Sequence, residues 1–142
     1  MALHGPILCV EDDEDDQFLL RATLEELGIS NALLFFSNGI PVMEYLTSTS
    51  EEPFLILCDV NMPLMNGLEL RQQMQQHMDL QKKFIPFIYL TTAANPTLVN
   101  QAYQGSIQGF YKKASDYSTF KEQLKTIVEY WQNCLLPGST LR

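Results

Sequence analysis

The chain has 142 residues, 46% of them hydrophobic and 18% charged, which is the size and composition of one globular domain and not of a disordered segment. Its formal net charge is −8 and its lysines and arginines form no concentrated run, so a nucleic-acid partner is not expected. No stretch approaches the roughly 20 apolar residues that cross a bilayer, and Met1 to Pro6 has neither the basic nor the apolar region of a secretion signal, so no membrane partner and a cytoplasmic location are expected.

In chain order, Ile7 to Val10 is a short apolar run that predicts a first strand. Phe18, Leu19, Leu20, Thr23, Leu24 and Leu27 follow at helical spacing, and Gly28 closes that helix. Ala32 to Phe36 predicts strand 2, and Val42, Met43, Tyr45 and Leu46 a short second helix. Phe54 to Cys58 predicts strand 3, ending at Asp59; a loop over Val60 to Asn66 leads into a helix from Gly67 with Leu68, Leu70 and Met74. Phe87 to Leu90 is the fourth strand, and Pro96 suits the first turn of a fourth helix, where its missing N–H leaves no bond unmade. Ile107 to Tyr111 is the fifth strand, and a fifth, long helix spans 116–133 with Phe120, Leu124, Ile127, Val128 and Trp131 on its apolar face.

Strict alternation of strands and helices implies an α/β fold with a parallel sheet covered on both faces, since crossovers are right-handed and both-face burial makes strands continuously apolar. Five such units suit a doubly wound, flavodoxin-like sheet in the order 2-1-3-4-5. The three cysteines, Cys9, Cys58 and Cys134, lack metal-type spacing, and Cys9 and Cys58 lie inside apolar runs as small hydrophobes. The Gln-rich stretch Gln72 to Gln76 reads as a solvated helix face, and His4 and His77 as surface residues. Tyr103, Tyr117 and Tyr130 read as core-packing helix aromatics ahead of a contact surface.

Ligands of open parallel sheets bind beyond the carboxyl ends of the strands, where strands 1 and 3 part. Strand 1 ends in Glu11-Asp12-Asp13 and strand 3 in Asp59, so at least three carboxylates should meet there. Two unit charges about 4 Å apart repel by about 4 kcal/mol at an effective dielectric near 20. A proton or a cation must therefore share the site, and few hard oxygen ligands suit Mg²⁺. Glu14, Asp15 and Asp16 have a simpler role as acids in the first turn of a helix, whereas Glu11 and Asp12 precede it. Thr91-Thr92 ends strand 4 and Lys112-Lys113 ends strand 5, which adds a hydroxyl and an ammonium able to bind the oxygens of a small anion on Asp59.

From Ile7 to Trp131 the chain resembles the receiver domain of two-component response regulators. The resemblance is carried by ILCVEDD, LILCDVNMPLMNG, PFIYLTTA and GFYKKA, most distinctively by the third-strand segment with Asn61-Met62-Pro63 and Asn66-Gly67. It implies a stand-alone receiver over residues 1–136 with a frayed C-terminal tail over 137–142. Asp59 would be the phosphoacceptor, with Glu11 and Asp12 the acidic pair around Mg²⁺ and Asn61 offering its backbone carbonyl to the metal. Thr91 would be the switch hydroxyl, Lys113 the phosphoryl-binding lysine and Phe110 the switch aromatic. Thr91 moving towards the phosphoryl group would let Phe110 turn inward. The donor would be a phosphohistidine on a sensor histidine kinase or histidine phosphotransfer protein. With no effector domain expected after the last helix, output would reach a downstream protein or an onward relay, and a homodimer through the face from strand 4 to the fifth helix is a further expectation.

Three positions depart from the receiver pattern. Ala114 stands where proline, with a cis peptide, usually follows the lysine; a non-proline cis bond costs about 2.5–4 kcal/mol, so the loop either stores strain or runs trans and moves Lys113. Thr92 stands where Ala or Gly is usual and is expected to slow attack by water, and Phe110 lacks the hydroxyl of a tyrosine. Rival readings are a receiver-like scaffold that is never phosphorylated, a flavin or nucleotide binder, and a Mg²⁺-dependent phosphohydrolase. Glu11-Asp12-Asp13 would repel a bound phosphate, and Asn61 cannot serve as the second acid of the phosphohydrolase.

Overall fold

The computed structural model describes residues 2–137, so the expected tail lies outside the described residues apart from Pro137. The strands are β1 (Ile7–Val10), β2 (Leu33–Phe36), β3 (Leu55–Cys58), β4 (Phe87–Thr91) and β5 (Gly109–Lys112). They form one parallel sheet in the order β2-β1-β3-β4-β5, as the alternation predicts. The helices are α1 (Glu14–Glu26), α2 (Gly39–Ser48), α3 (Gly67–Gln76), α4 (Met78–Gln81), α5 (Pro96–Gln104) and α6 (Tyr117–Asn133).

Successive strand residues point to opposite faces, and both faces are buried. Leu8, Val10, Ile56, Cys58, Phe87 and Tyr89 pack against Val42, Leu46, Leu70, Met74 and Ala102 of α2, α3 and α5. Ile7, Cys9, Leu55, Leu57, Ile88 and Leu90 pack against Leu20 and Leu24 of α1 and Phe120, Leu124, Ile127 and Val128 of α6. Each long helix opens on an Asp or Asn whose side chain accepts a backbone N–H: Asp13, Asn38, Asn66, Asn95 and Asp116. Asn66 and Glu69 form a reciprocal capping box that fixes the start of α3 directly after the third-strand loop.

Several expectations are corrected. Phe18 lies two residues, about 200° of helix turn, from Leu20, so it leaves the apolar stripe and is 73% exposed. β5 begins at Gly109 and not at Ile107, because Ser106 adopts φ 55° and the Gln108 side chain accepts the Phe87 N–H at 2.7 Å. The single-turn α4 is too short to leave a periodic signal. His77, at its start, is half-buried rather than on the surface, and among the described residues its Nδ1 is buried without a hydrogen-bond partner. Tyr103, Tyr117 and Tyr130 are exposed and not core: Tyr103 and Tyr130 sit off the buried stripes of their helices, and Tyr117 is the first residue of α6, at the open end of its stripe.

Candidate functional site

Register places the site. Val10 pairs with Cys58, so the next residues, Glu11 and Asp59, leave neighbouring strands side by side. The Asp59 N–H donates to Val10 O at 2.9 Å, and the Glu11 N–H to Phe36 O at 2.9 Å. Carboxylate oxygens of Glu11, Asp12 and Asp59 all lie within 4.8 Å of one another. Glu11 is buried, Asp59 half-buried and Asp12 exposed, so the cluster opens to solvent on the Asp12 side. Asp13 leaves it: its carboxylate caps α1 by accepting the Asp16 N–H at 3.0 Å.

Lys113 Nζ donates to Glu11 Oε1 at 3.0 Å and stands 3.7 Å from Asp16 Oδ2. Asp16 therefore has a partner beyond the helix dipole to which its position in the sequence assigned it. Burial raises the Glu11 carboxyl from 4.5 to about 7; the Asp13 N–H and the Lys113 ammonium oppose that rise, and the Asp59 charge adds to it. The described residues contain no cis peptide, so the Lys113-Ala114 loop runs trans and still delivers the ammonium to the cluster.

The Lys113 N–H donates to Thr91 O at 2.8 Å, which ties the ends of β4 and β5 together. Thr91 is buried, its hydroxyl oxygen accepting the Ala93 N–H at 3.2 Å, while Thr92 beside it is exposed. Phe110 is half-buried, its ring 5.7 Å from that of Tyr89, and Asn61 is exposed in the loop after β3.

That loop is closed tightly. Asp59 Oδ1 accepts the Val60 N–H at 2.7 Å, and the Gly67 N–H donates to Val60 O at 2.9 Å. The buried Tyr89 hydroxyl donates to Gly67 O at 2.8 Å. A Cβ on Gly67 would stand 2.4 Å from Asp59 O and 2.9 Å from Tyr89 Cε1, so α3 reaches this position only with glycine. Gln17 also serves the site, its side-chain amide donating to the Glu11 carbonyl. Nothing in the sequence singles it out, since a glutamine on the first turn of a helix is ordinary surface composition.

Three carboxylates facing one ammonium leave negative charge uncompensated. Hard, partly exposed oxygens of this kind fit a small divalent cation that keeps some of its waters. No helix among the described residues is long and apolar enough to cross a membrane.

The family model "Response regulator receiver domain" matches residues 7–125. Response regulator Rcp1 of Synechocystis sp. (strain PCC 6803) is 28% identical over 139 residues, covering 94% of this chain and 93% of that protein. The crystal structure of the phosphorylated cyanobacterial phytochrome response regulator RcpA superposes with a TM-score of 0.80 at 25% identity, covering 94% of this chain and 99% of that one. The Mn²⁺-bound form of Rcp1 superposes with a TM-score of 0.76 at 27% identity, covering 92% and 96%.

Proposed function

Because this chain belongs to the response regulator receiver domain family, we propose that it is a signalling phosphoacceptor that takes a phosphoryl group onto Asp59 from a phosphohistidine donor. The observation that carries the reading is the convergence of Glu11, Asp12 and Asp59 oxygens within 4.8 Å at the ends of β1 and β3. The likeness to a phosphorylated response regulator and to a Mn²⁺-bound one supports it.

Asp12, Asp59 and the Asn61 carbonyl, with Glu11 behind them, would hold Mg²⁺, which when bound offsets the charge on the transferring phosphoryl oxygens. An Asp59 carboxylate oxygen forms the new P–O bond as the P–N bond to the donor imidazole breaks, the bonding pair leaving on the imidazole nitrogen. Lys113 swings its ammonium from Glu11 to a phosphoryl oxygen, and the Thr91 hydroxyl, whose oxygen accepts the Ala93 N–H, donates its O–H to another. Little covalent work is asked of the chain; positioning and charge carry the rate.

The Thr91 movement would be felt by Phe110 and so by the face of β4, β5 and α6, where output to a partner protein, or to a second copy, would be made. The donor would be a sensor histidine kinase or a histidine phosphotransfer protein. Exposed Thr92 would restrict water, so Thr92→Ala should hasten loss of the phosphoryl group. The direct test is incubation with Mg²⁺ and acetyl phosphate, read by intact mass. Wild type should gain one phosphoryl group and Asp59→Asn none; equal modification of both would refute the assignment.

A further inference from the structure

β5 is the edge strand next to β4, and its outer backbone groups need partners other than a strand. In a parallel strand the N–H and C=O of one residue point to the same side and those of its neighbours to the other. The Lys113 N–H points inward, to Thr91 O at 2.8 Å. The Lys112 carbonyl and the Ala114 N–H therefore point outward, and both meet the side chain of Gln123 on α6. Gln123 Nε2 donates to Lys112 O at 2.9 Å, and Gln123 Oε1 accepts the Ala114 N–H at 3.1 Å.

One primary amide thus replaces the peptide of an absent neighbouring strand, and it grips the chain on either side of Lys113. The acceptor half of this grip exists because residue 114 carries an N–H, which a proline would lack. Gln123 is half-buried on α6, a helix anchored in the core by Phe120 and Leu124 on either side of it.

We infer that Gln123 is the positioning residue for Lys113, fixing from α6 the trans backbone from which the ammonium reaches the carboxylate cluster. This rests on the phosphoacceptor reading given above. A lysine head hangs on a long flexible stem, so its reach is set by where its Cα stands and how freely that Cα moves. Misplacement by about 1 Å can reduce a rate by about 100-fold, and a loosened rather than displaced Lys113 should show about a tenfold loss.

The test compares phosphorylation rates by acetyl phosphate at saturating Mg²⁺ in wild type, Gln123→Met, Lys113→Ala and the double variant. Gln123→Met keeps the length and bulk of the side chain and removes both bonds. It should slow phosphorylation about tenfold, leave the Mg²⁺ dissociation constant within about twofold, and add nothing when Lys113 is already alanine. Losses that multiply in the double variant, or a single variant as fast as wild type, overturn the inference. Amide exchange in the wild-type protein is an independent check, since the Ala114 N–H should be protected and an unprotected one overturns the grip itself. If wild type takes no phosphoryl group, the phosphoacceptor reading fails, while the exchange experiment still decides whether Gln123 holds the loop.

Discussion

The Lys113 ammonium lies 3.0 Å from Glu11 Oε1, and the two side chains are only 12% and 5% exposed. Removing one member of such a pair leaves a charge out of water, which costs about 3 kcal/mol or more, whereas removing both relieves most of that penalty. At a pH well above 7, where Glu11 is ionised, Lys113→Met should therefore be less stable than wild type by about 3 kcal/mol, and Glu11→Gln with Lys113→Met should recover most of the loss. Urea denaturation of the metal-free proteins decides it. A double variant as unstable as Lys113→Met alone would show that the loss comes from packing and not from charge.

The same carboxyl makes stability depend on pH. Its folded value, about 7, lies above the ordinary 4.5, so the folded state binds the proton more tightly than the unfolded chain does. The resulting stabilisation is complete below about pH 4.5 and is lost as pH rises to about 7. The urea midpoint of metal-free protein should fall over that window, and the fall should be shallower in Glu11→Gln. Protons compete with the cation, so Mg²⁺ affinity should rise over the same window. A parallel slope in both proteins would remove Glu11 as the cause.

The acidic cluster was legible in the sequence because three facts combine: strand ends are readable from apolar runs, the switch point follows from the strand order, and Glu11, Asp12 and Asp59 sit one or two residues beyond those ends. Lys113 was legible for the same reason. Its two holders were not. Asp16 has a sufficient local role in the first turn of α1, and Gln123 lies nine residues beyond Ala114, on a helix whose apolar stripe says nothing about a polar neighbour. Exposed Phe18 shows a related limit, since composition marks a residue as apolar but the angle around the helix decides which way it faces; His77 sits in the extended break between α3 and α4, where no period predicts its burial.

Gly67 carries both the loop and the site. Its absent Cβ would meet Asp59 O at 2.4 Å, a backbone atom that cannot step aside without moving Asp59. Gly67→Ala should be destabilised by about 1–3 kcal/mol and should also bind Mg²⁺ more weakly. Gly28→Ala is the control. At φ 76° an alanine there is strained, but its Cβ would meet nothing within 4 Å, and Gly28 follows the C-terminal end of α1, whose N-terminal end lies beside the cluster. It should lose stability and keep its Mg²⁺ affinity; weaker Mg²⁺ binding in both would mean that the effect of Gly67→Ala is not local.

Leu64, in the loop after β3, has φ 65° and is 81% exposed. A branched residue in the left-handed region is disfavoured by about 1–2 kcal/mol, and asparagine tolerates that region better. With almost no burial to lose, Leu64→Asn should be more stable by about 0.5–1 kcal/mol. A thermal melt gives the answer, and a destabilised variant would show that Leu64 makes an apolar contact that outweighs its backbone strain.

Arg71 on α3 ties the distant α5–β5 connection to the sheet. Its Nε donates to Gly105 O at 2.7 Å and its Nη2 to Ser106 O at 2.9 Å, while the guanidinium lies 5.3 Å from the centre of the Phe87 ring. The two carbonyls belong to consecutive residues, and Ser106 holds φ 55°, so the planar fork matches a turn that backbone bonding alone leaves open. Hydrogen bonds from a charged donor contribute about 1.5–3 kcal/mol, so Arg71→Met should lose about 2 kcal/mol. Arg71→Lys should fall between the two, because a single ammonium cannot repeat the geometry of a fork. Amide exchange should quicken at Gln108, whose N–H enters the sheet at Phe87 O directly after this turn. A lysine variant equal to wild type in stability and exchange would show that charge alone, and not the fork, holds β5 in register.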